Sequence, residues 1–280
     1  MPCMSVLWFV PIGFLVGTYG TIIGAGGGFI LVPLLMFLFP QDGPSMVTAA
    51  SLAIIFVNST SGTIAYAAQK RISYRTGVLF ALATIPGALL GSYLTRFIPK
   101  QLFSGIFGLL LIAVAVFLSL TRGAKRGTGA AGRPPRAHRG ARLVDTVVDR
   151  DGTAHPLTFN PWLGVILSVF IGCFSSLVGI GGGLIHVPVL VYLFEFPLHI
   201  ATATSHFVLV FTSLAGVVEH ILDRTWPTHI LRDALLAVGV VGGAQLGAFL
   251  SRRIAARWVM IGLAAALGLV GIRLVVGLFL

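Results

Sequence analysis

The chain has 280 residues, of which 56% are apolar and only 10% charged, with a mean hydropathy of +0.98. So little charge excludes a water-soluble domain of this length, and long apolar runs without strand-like alternation exclude a membrane β-barrel. In an integral membrane chain the net charge of +11 is a signal of orientation, and no nucleic-acid partner is expected.

In chain order, apolar segments are predicted at about 5–23, 29–39, 46–68, 77–95 and 102–121. A polar stretch runs from Arg122 to Asn160, and segments follow at about 162–178, 184–194, 199–222, 229–250 and 256–279. The first segment has no basic n-region and no small-x-small cleavage site, so it reads as a membrane segment and not as a signal peptide. The two sets match in order and landmarks: Gly17 with Gly172, Pro33 with Pro188, Thr48 with Thr202, Ser51 with Ser205, Gly62 with Gly216, and Gly87-Ala88 with Gly243-Ala244. The expected fold is therefore all-α, a polytopic helical membrane protein of two repeats. Residues 1–121 form the first, 122–160 a basic linker, and 161–280 the second. Each repeat should hold a broken Gly-rich helical hairpin followed by three transmembrane helices.

The hairpins are read from a short stretch that occurs twice, Gly24-Ala25-Gly26-Gly27-Gly28 and Gly179-Ile180-Gly181-Gly182-Gly183, each followed by an apolar run ending in proline. Glycine disfavours a helix by roughly 1 kcal/mol per residue, so such clusters break it. At membrane depth the freed backbone groups must be satisfied by protein, water or a ligand. From Phe29 to Phe39 is roughly 17 Å of helix, against a hydrocarbon core of about 30 Å. A re-entrant V is expected, with two ordinary spans joined by a tight loop as the alternative.

Basic residues set the orientation. Fourteen of the 19 fall in three stretches: Lys70, Arg71 and Arg75; eight between Arg122 and Arg150; and Arg252, Arg253 and Arg257. All three share one face in this topology, which is then cytoplasmic and lies against anionic headgroups. Both termini are predicted outside, and the two repeats run in opposite senses. Within the linker, Arg122 to Arg142 reads as a flexible basic segment. Leu143 to Phe159 reads either as a small hairpin with a turn at Asp151-Gly152 or as an irregular loop.

After each glycine cluster comes a helix with a polar stripe. At about 100° per residue, Thr48, Ser51, Ser59, Gly62, Tyr66 and Gln69 fall within roughly 60° of one line, and so do Thr202, Ser205, His206, Ser213, Gly216 and His220. Asn58 and Thr212 lie at its edge. Ser59, Ser61, Ser213 and Gly62 suit helix packing. Thr48, Ser51, Thr202, Ser205 and His206 lie near the glycine breaks and suit a lined site. His186 and His206 are ionisable groups in apolar sequence, each able to bind an anion when protonated, relay a proton, or simply sit buried and neutral. Glu219 and His220, near the end of the second striped helix, are candidates with His206 for proton coupling, or mark the water interface. Cys3 and Cys173 lie in no metal-type spacing. No P-loop, HExxH, nucleophile triad or Cys-His array occurs, so no enzyme activity, cofactor or ATP hydrolysis is expected.

At the glycine motifs the chain resembles the TauE/SafE family of membrane permeases, also called sulfite exporter-like. The likeness extends through Phe196-Pro197-Leu198-His199, Ala201-Thr202-Ala203-Thr204-Ser205-His206-Phe207, Asp151-Gly152-Thr153 and Gly243-Ala244-Gln245-Leu246-Gly247-Ala248. The resemblance implies a bacterial-type inner-membrane transporter, in the exporting sense, of small anions such as sulfite, organosulfonates or related carboxylates. The first repeat departs from the second, since Val47 to Leu52 lacks the histidine. The expected substrate-binding set is Gly24, Gly26, Gly27, Gly28, Thr48, Ser51, Asn58, Gly179, Gly181, Gly182, Gly183, His186, Thr202, Ser205 and His206. The alternatives are a metal-ion permease using intramembrane histidines, an anion channel, or a membrane assembly protein that transports nothing.

Overall fold

The computed structural model describes residues 7–121, 143–148, 154–225, 229–251 and 256–276. The first half holds α1 (Phe9–Ile23), α2 (Gly28–Leu38), α3 (Pro44–Ala68), α4 (Tyr74–Thr95) and α5 (Lys100–Thr121). A hairpin follows, of β1 (Leu143–Val148) and β2 (Ala154–Phe159). The second half holds α6 (Pro161–Leu177), α7 (Gly183–Pro188) with a π turn over Val189–Leu193, α8 (Leu198–Leu222), α9 (Ile230–Leu250) and α10 (Ala256–Val276). This is a polytopic helical protein, and five of the described helices are long and apolar enough to cross a membrane: α3, α4, α5, α8 and α9.

Local chemistry sets the helix ends. Pro44 and Pro161 occupy the first turns of α3 and α6, where a missing N–H costs nothing, and the Asn160 side chain accepts from the Trp162 amide. Pro188 cannot donate into the ladder, and the chain passes there from α-helix into the π turn. Polarity is arranged as a bilayer requires. Leu82, Leu109, Phe170 and Leu269 are exposed, whereas Thr48, Ser51, Asn58, Ser205 and His206 are buried.

Packing pairs the halves. α1 packs on α9 and α4 on α6; α3 packs on α8, and α5 on α10. Glycine permits the closest of these approaches. A Cβ on Gly239, Gly243 or Gly247 of α9 would overlap the backbone of Val10, Phe14 or Thr18 of α1, and Gly87 and Gly91 of α4 meet Val169 and Cys173 of α6 in the same way.

Each glycine hairpin returns to the end where it began. The rings of Phe9, at the start of α1, and Phe39, just past α2, lie 6.2 Å apart. Those of Phe159, just before α6, and Phe194, just past the π turn, lie 5.2 Å apart. The first hairpin opens toward Asp42, Arg96 and Arg232. The second opens toward the β-hairpin and the Lys70–Arg75 loop, at the other end of α3 and α4.

The segment read as hairpin or loop is a hairpin, with Leu143 opposite Phe159 and Val147 opposite His155. Its inner face buries Val147, Leu157 and Phe159 against Phe80, Phe194 and Phe196, which gives the alternating residues a reason to pair. Asp145 ties it down by accepting from the Ser73 hydroxyl and, at 3.5 Å, from Thr76. Asp145→Ala removes charge-assisted bonds of roughly 1.5–3 kcal/mol. Amide exchange over 143–159 is therefore expected to quicken by more than tenfold while α3 and α8 stay protected. The basic stretch 122–142, the Asp-Gly turn within 149–153, and Arg252 and Arg253 of the third basic cluster lie outside the described residues; Arg257 falls in the first turn of α10.

Candidate functional site

The two glycine breaks have the same backbone. α1 ends at a left-handed Gly24 (φ 85°), and Gly26 and Gly27 are left-handed too (φ 72° and 82°). Gly179, Gly181 and Gly182 repeat this at 75°, 78° and 104°. A side chain in this region costs about 1–2 kcal/mol per residue, so three such positions in five require glycine. In the first break the amides of Gly24, Ala25 and Gly26 all fold back on the Gly20 carbonyl, at 3.0, 2.9 and 3.2 Å. The next amides, of Gly27, Gly28 and Phe29, and those of Gly181 to Leu184 in the second break, meet no acceptor among the described residues. They form the N-terminal ends of α2 and α7, where N–H groups and partial positive charge favour an anion.

The breaks lie back to back. A Cβ on Gly28 would stand 2.9 Å from Ile180 Cα, and one on Gly183 would stand 2.8 Å from Ala25 Cα. Two apolar side chains wedge this junction. Ile55 of α3 and Leu209 of α8 both border Gly26, where a Cβ would lie 3.0 and 3.2 Å from them, and both border Gly181, at 3.1 and 2.9 Å.

The stripe residues of each half hold the other half's break. Ser51 donates to the Gly179 carbonyl at 2.7 Å, and Ser205 donates to the Gly24 carbonyl at 3.1 Å. Thr48 packs on Gly179 and Thr202 on Gly24, so closely that a Cβ on either glycine would lie 2.8 Å from its threonine. Each serine has one proton, and here it goes to a carbonyl. The serines therefore set the shape of the breaks, and the unpaired donors are backbone amides. Ser205→Ala leaves the Gly24 carbonyl without this donor, a loss of roughly 1–3 kcal/mol. Both Ser205→Ala and Ser51→Ala are expected to lower flux in vesicles by about tenfold at unchanged protein per vesicle; wild-type flux in both would show that the carbonyl contacts do not matter.

Asn58 belongs to the first break alone. Its side-chain amide donates to the Gly26 carbonyl at 3.2 Å, and its oxygen accepts from Thr21 at 3.4 Å. His206 joins the same chain, with Nε2 3.2 Å from the Thr21 hydroxyl. Its ring fills the notch left by Gly62 and meets Tyr66 edge-on at 5.6 Å. Leu52, the first-half counterpart of His206, fills the notch at Gly216. His186 is placed differently. It is buried with Nδ1 3.3 Å from the Gly182 carbonyl and Nε2 3.5 Å from Ser168, beside Phe80, and it does not reach the opposite break.

Glu219 and His220 are not near His206. Thirteen residues of α8 separate Glu219 from it, roughly 20 Å along the helix. His220 Nε2 lies 3.3 Å from the Thr48 hydroxyl, and its Nδ1 lies 3.7 Å from Glu219. Among the remaining stripe residues, Ser59 and Ser213 donate to carbonyls of their own helices, Ser61 to Val241, and Gln69 to Ala248. No three His, Cys, Asp or Glu side chains converge on a common point among the described residues.

Sequence reasoning missed Thr21, Ile55 and Leu209. Thr21 had a usable signal, as a hydroxyl three residues before the first glycine of the break. Ile55 and Leu209 had none, because an apolar residue in an apolar helix offers no contrast.

A family model described as "Sulfite exporter TauE/SafE" matches residues 9–274. A Bacillus subtilis protein named "Probable membrane transporter protein YunE" is 31% identical, over 97% of this chain and 98% of its own length. A Methanocaldococcus jannaschii protein, also named a probable membrane transporter protein, is 25% identical over 94% of this chain and 92% of its own. A Xylella fastidiosa protein of the same description is 26% identical over 91% and 88%. No solved structure matches the chain.

Proposed function

Because the chain belongs to the sulfite exporter TauE/SafE family of membrane transporters, we propose that it is a secondary exporter of small anions, such as sulfite, organosulfonates or related carboxylates. The anion binds between the two glycine breaks. One observation carries this reading: two helix N-terminal ends with unpartnered amides lie at a junction of the two halves, among buried hydroxyls. Such donors satisfy an anion without a fixed cation, and an anion satisfies amides that would otherwise be costly at membrane depth.

Ile55 and Leu209 border both breaks. We assign them the role of the apolar barrier that must part for the anion to enter from either side. The inverted-repeat reading draws support from the hairpins, which open toward opposite ends of the bundle. It draws more from the helix pairs, which exchange into one another when α1 is swapped with α6, α4 with α9 and each remaining helix with its counterpart. The basic loop Lys70–Arg75 beside the β-hairpin then marks the cytoplasmic face, with both termini outside, in a bacterial-type inner membrane. We assign the coupling of a proton at the first break to His206, a reading supported by its link through Thr21 and Asn58 to the Gly26 carbonyl.

Proteoliposomes offered sulfite, sulfoacetate, taurine and simple carboxylates, with and without a pH gradient, test the reading. Saturable counterflow of at least one anion is expected. Single-channel current steps, or transition-metal uptake without anion flux, would overturn it.

A further inference from the structure

A cleft of about 940 Å³ lies between α2, the start of α5 and the last turns of α10. It begins one residue beyond the first break's free amides, at Ile30, and runs away from the junction with a different lining. Ile30, Pro33, Leu34 and Phe37 of α2 form one wall, and Val270 and Leu274 of α10 another. From Ile30 to Phe37 this wall runs roughly 10 Å along the helix. Two cations stand at the Phe37 end. Lys100 donates to the Pro40 carbonyl, just beyond α2, and the Arg273 guanidinium lies 4.4 Å from the centre of the Phe37 ring. Among the described residues no carboxylate lines the cleft and neither cation forms an ion pair.

We propose that this cleft is a binding site for one anionic phospholipid, its phosphate on Lys100 and Arg273 and an acyl chain along the α2 wall. The volume is that of a small-ligand site, and its division is amphiphilic: an apolar trough with positive charge confined to one end. A free inorganic anion would leave the trough empty. A zwitterionic lipid would bring an ammonium against two cations. A membrane protein offers Lys and Arg at the headgroup level for anionic lipid, with their stems along the apolar wall. The site has a consequence for the first break. α2 begins at Gly28, so a lipid lying along Ile30 to Phe37 braces the arm that leaves the break.

Lipid carried through purification tests this. The full chain is placed in nanodiscs of phosphatidylcholine and phosphatidylglycerol in equal amounts, released, and weighed by native mass spectrometry. One phosphatidylglycerol per chain is expected, retained over phosphatidylcholine by roughly tenfold or more. The double variant Lys100→Ala, Arg273→Ala is expected to bring that ratio near unity. Ser104→Trp, which fills the cleft and leaves both cations in place, is expected to remove the bound lipid as well. Should the double variant not purify, Ser104→Trp carries the test alone. Equal retention of the two lipids by the wild-type chain overturns the proposal, and so does an unaltered preference in the variants. A Ser104→Cys variant that crosslinks to a second copy in native membranes, with no retained phosphatidylglycerol, assigns the cleft to a dimer contact and overturns it too.

Discussion

Gly181→Leu is expected to bring anion flux to background while the protein still inserts in the membrane. Two costs act together. Gly181 has φ 78°, a conformation that penalises a side chain by about 1–2 kcal/mol. A Cβ there would lie 2.9 Å from Leu209 and 3.1 Å from Ile55, so the remaining carbons of leucine must enter the wedge between the breaks. Overpacking of a close-fitted contact costs typically 1–3 kcal/mol more. The chain can relieve this only by moving α7, and with α7 go the amides of Gly181 to Leu184. Insertion depends on the apolar character of the long helices, which one leucine does not alter. Gly26→Leu meets the same two side chains from the other half and should behave alike. Gly43→Ala is the control, since its φ is −71° and nothing lies within 4 Å of the added carbon. Vesicle flux normalised to inserted protein is the measurement. Wild-type flux in Gly181→Leu would place the site elsewhere.

Arg232→Ala is expected to destabilise the whole protein more than any other single loss of a charge. Arg232 is only 5% exposed, and its guanidinium reaches Asp42 at 3.2 Å and Asp233 at 2.7 Å. It also covers the Phe39 ring at 4.3 Å, beside His229. Removing it leaves two carboxylates buried without their cation, at a cost of about 3–5 kcal/mol. That corresponds to a fall in Tm on the order of 10 °C. The pairing also fixes geometry, because Asp42 lies in the loop after α2 and Arg232 in the first turn of α9. It joins the exit of the first glycine hairpin to the opposite half. Replacing all three charges together, as Arg232→Met with Asp42→Asn and Asp233→Asn, should recover much of the loss, since the burial of unpaired charge is then gone. Thermal unfolding in one detergent, followed by size-exclusion, measures both. An unchanged Tm in Arg232→Ala would mean that water reaches this cluster freely. The Arg96–Asp223 pair at the same end is more exposed, and its removal should matter far less.

The histidines separate what pattern can show from what packing decides. His186 and His206 are alike as sequence: single ionisable groups in apolar runs, each near a glycine break. Tertiary contacts give them unlike surroundings. α8 packs along α3, so His206 enters the notch at Gly62 and reaches Thr21 and Asn58 of the first half. α7 turns His186 toward α6, so that Ser168 of α6 meets one ring nitrogen and the Gly182 carbonyl, in the break just before α7, meets the other. The serines make the same point. Their position beside the breaks was legible, and their bonds to the opposite half's carbonyls were not.

By itself the sequence determined the helical membrane class, the segment order and the places where helix must stop. These follow from composition, from apolar length against a bilayer, and from the backbone freedom of glycine, all of them local properties. Only the tertiary structure decided that the breaks meet back to back and that Ile55 and Leu209 wedge them. Those features depend on which helices interlock, and this is set by glycine notches on α1, α4, α6 and α9 meeting backbone many residues away. A contact between two residues that are each unremarkable in their own helix leaves no mark in either one's local sequence.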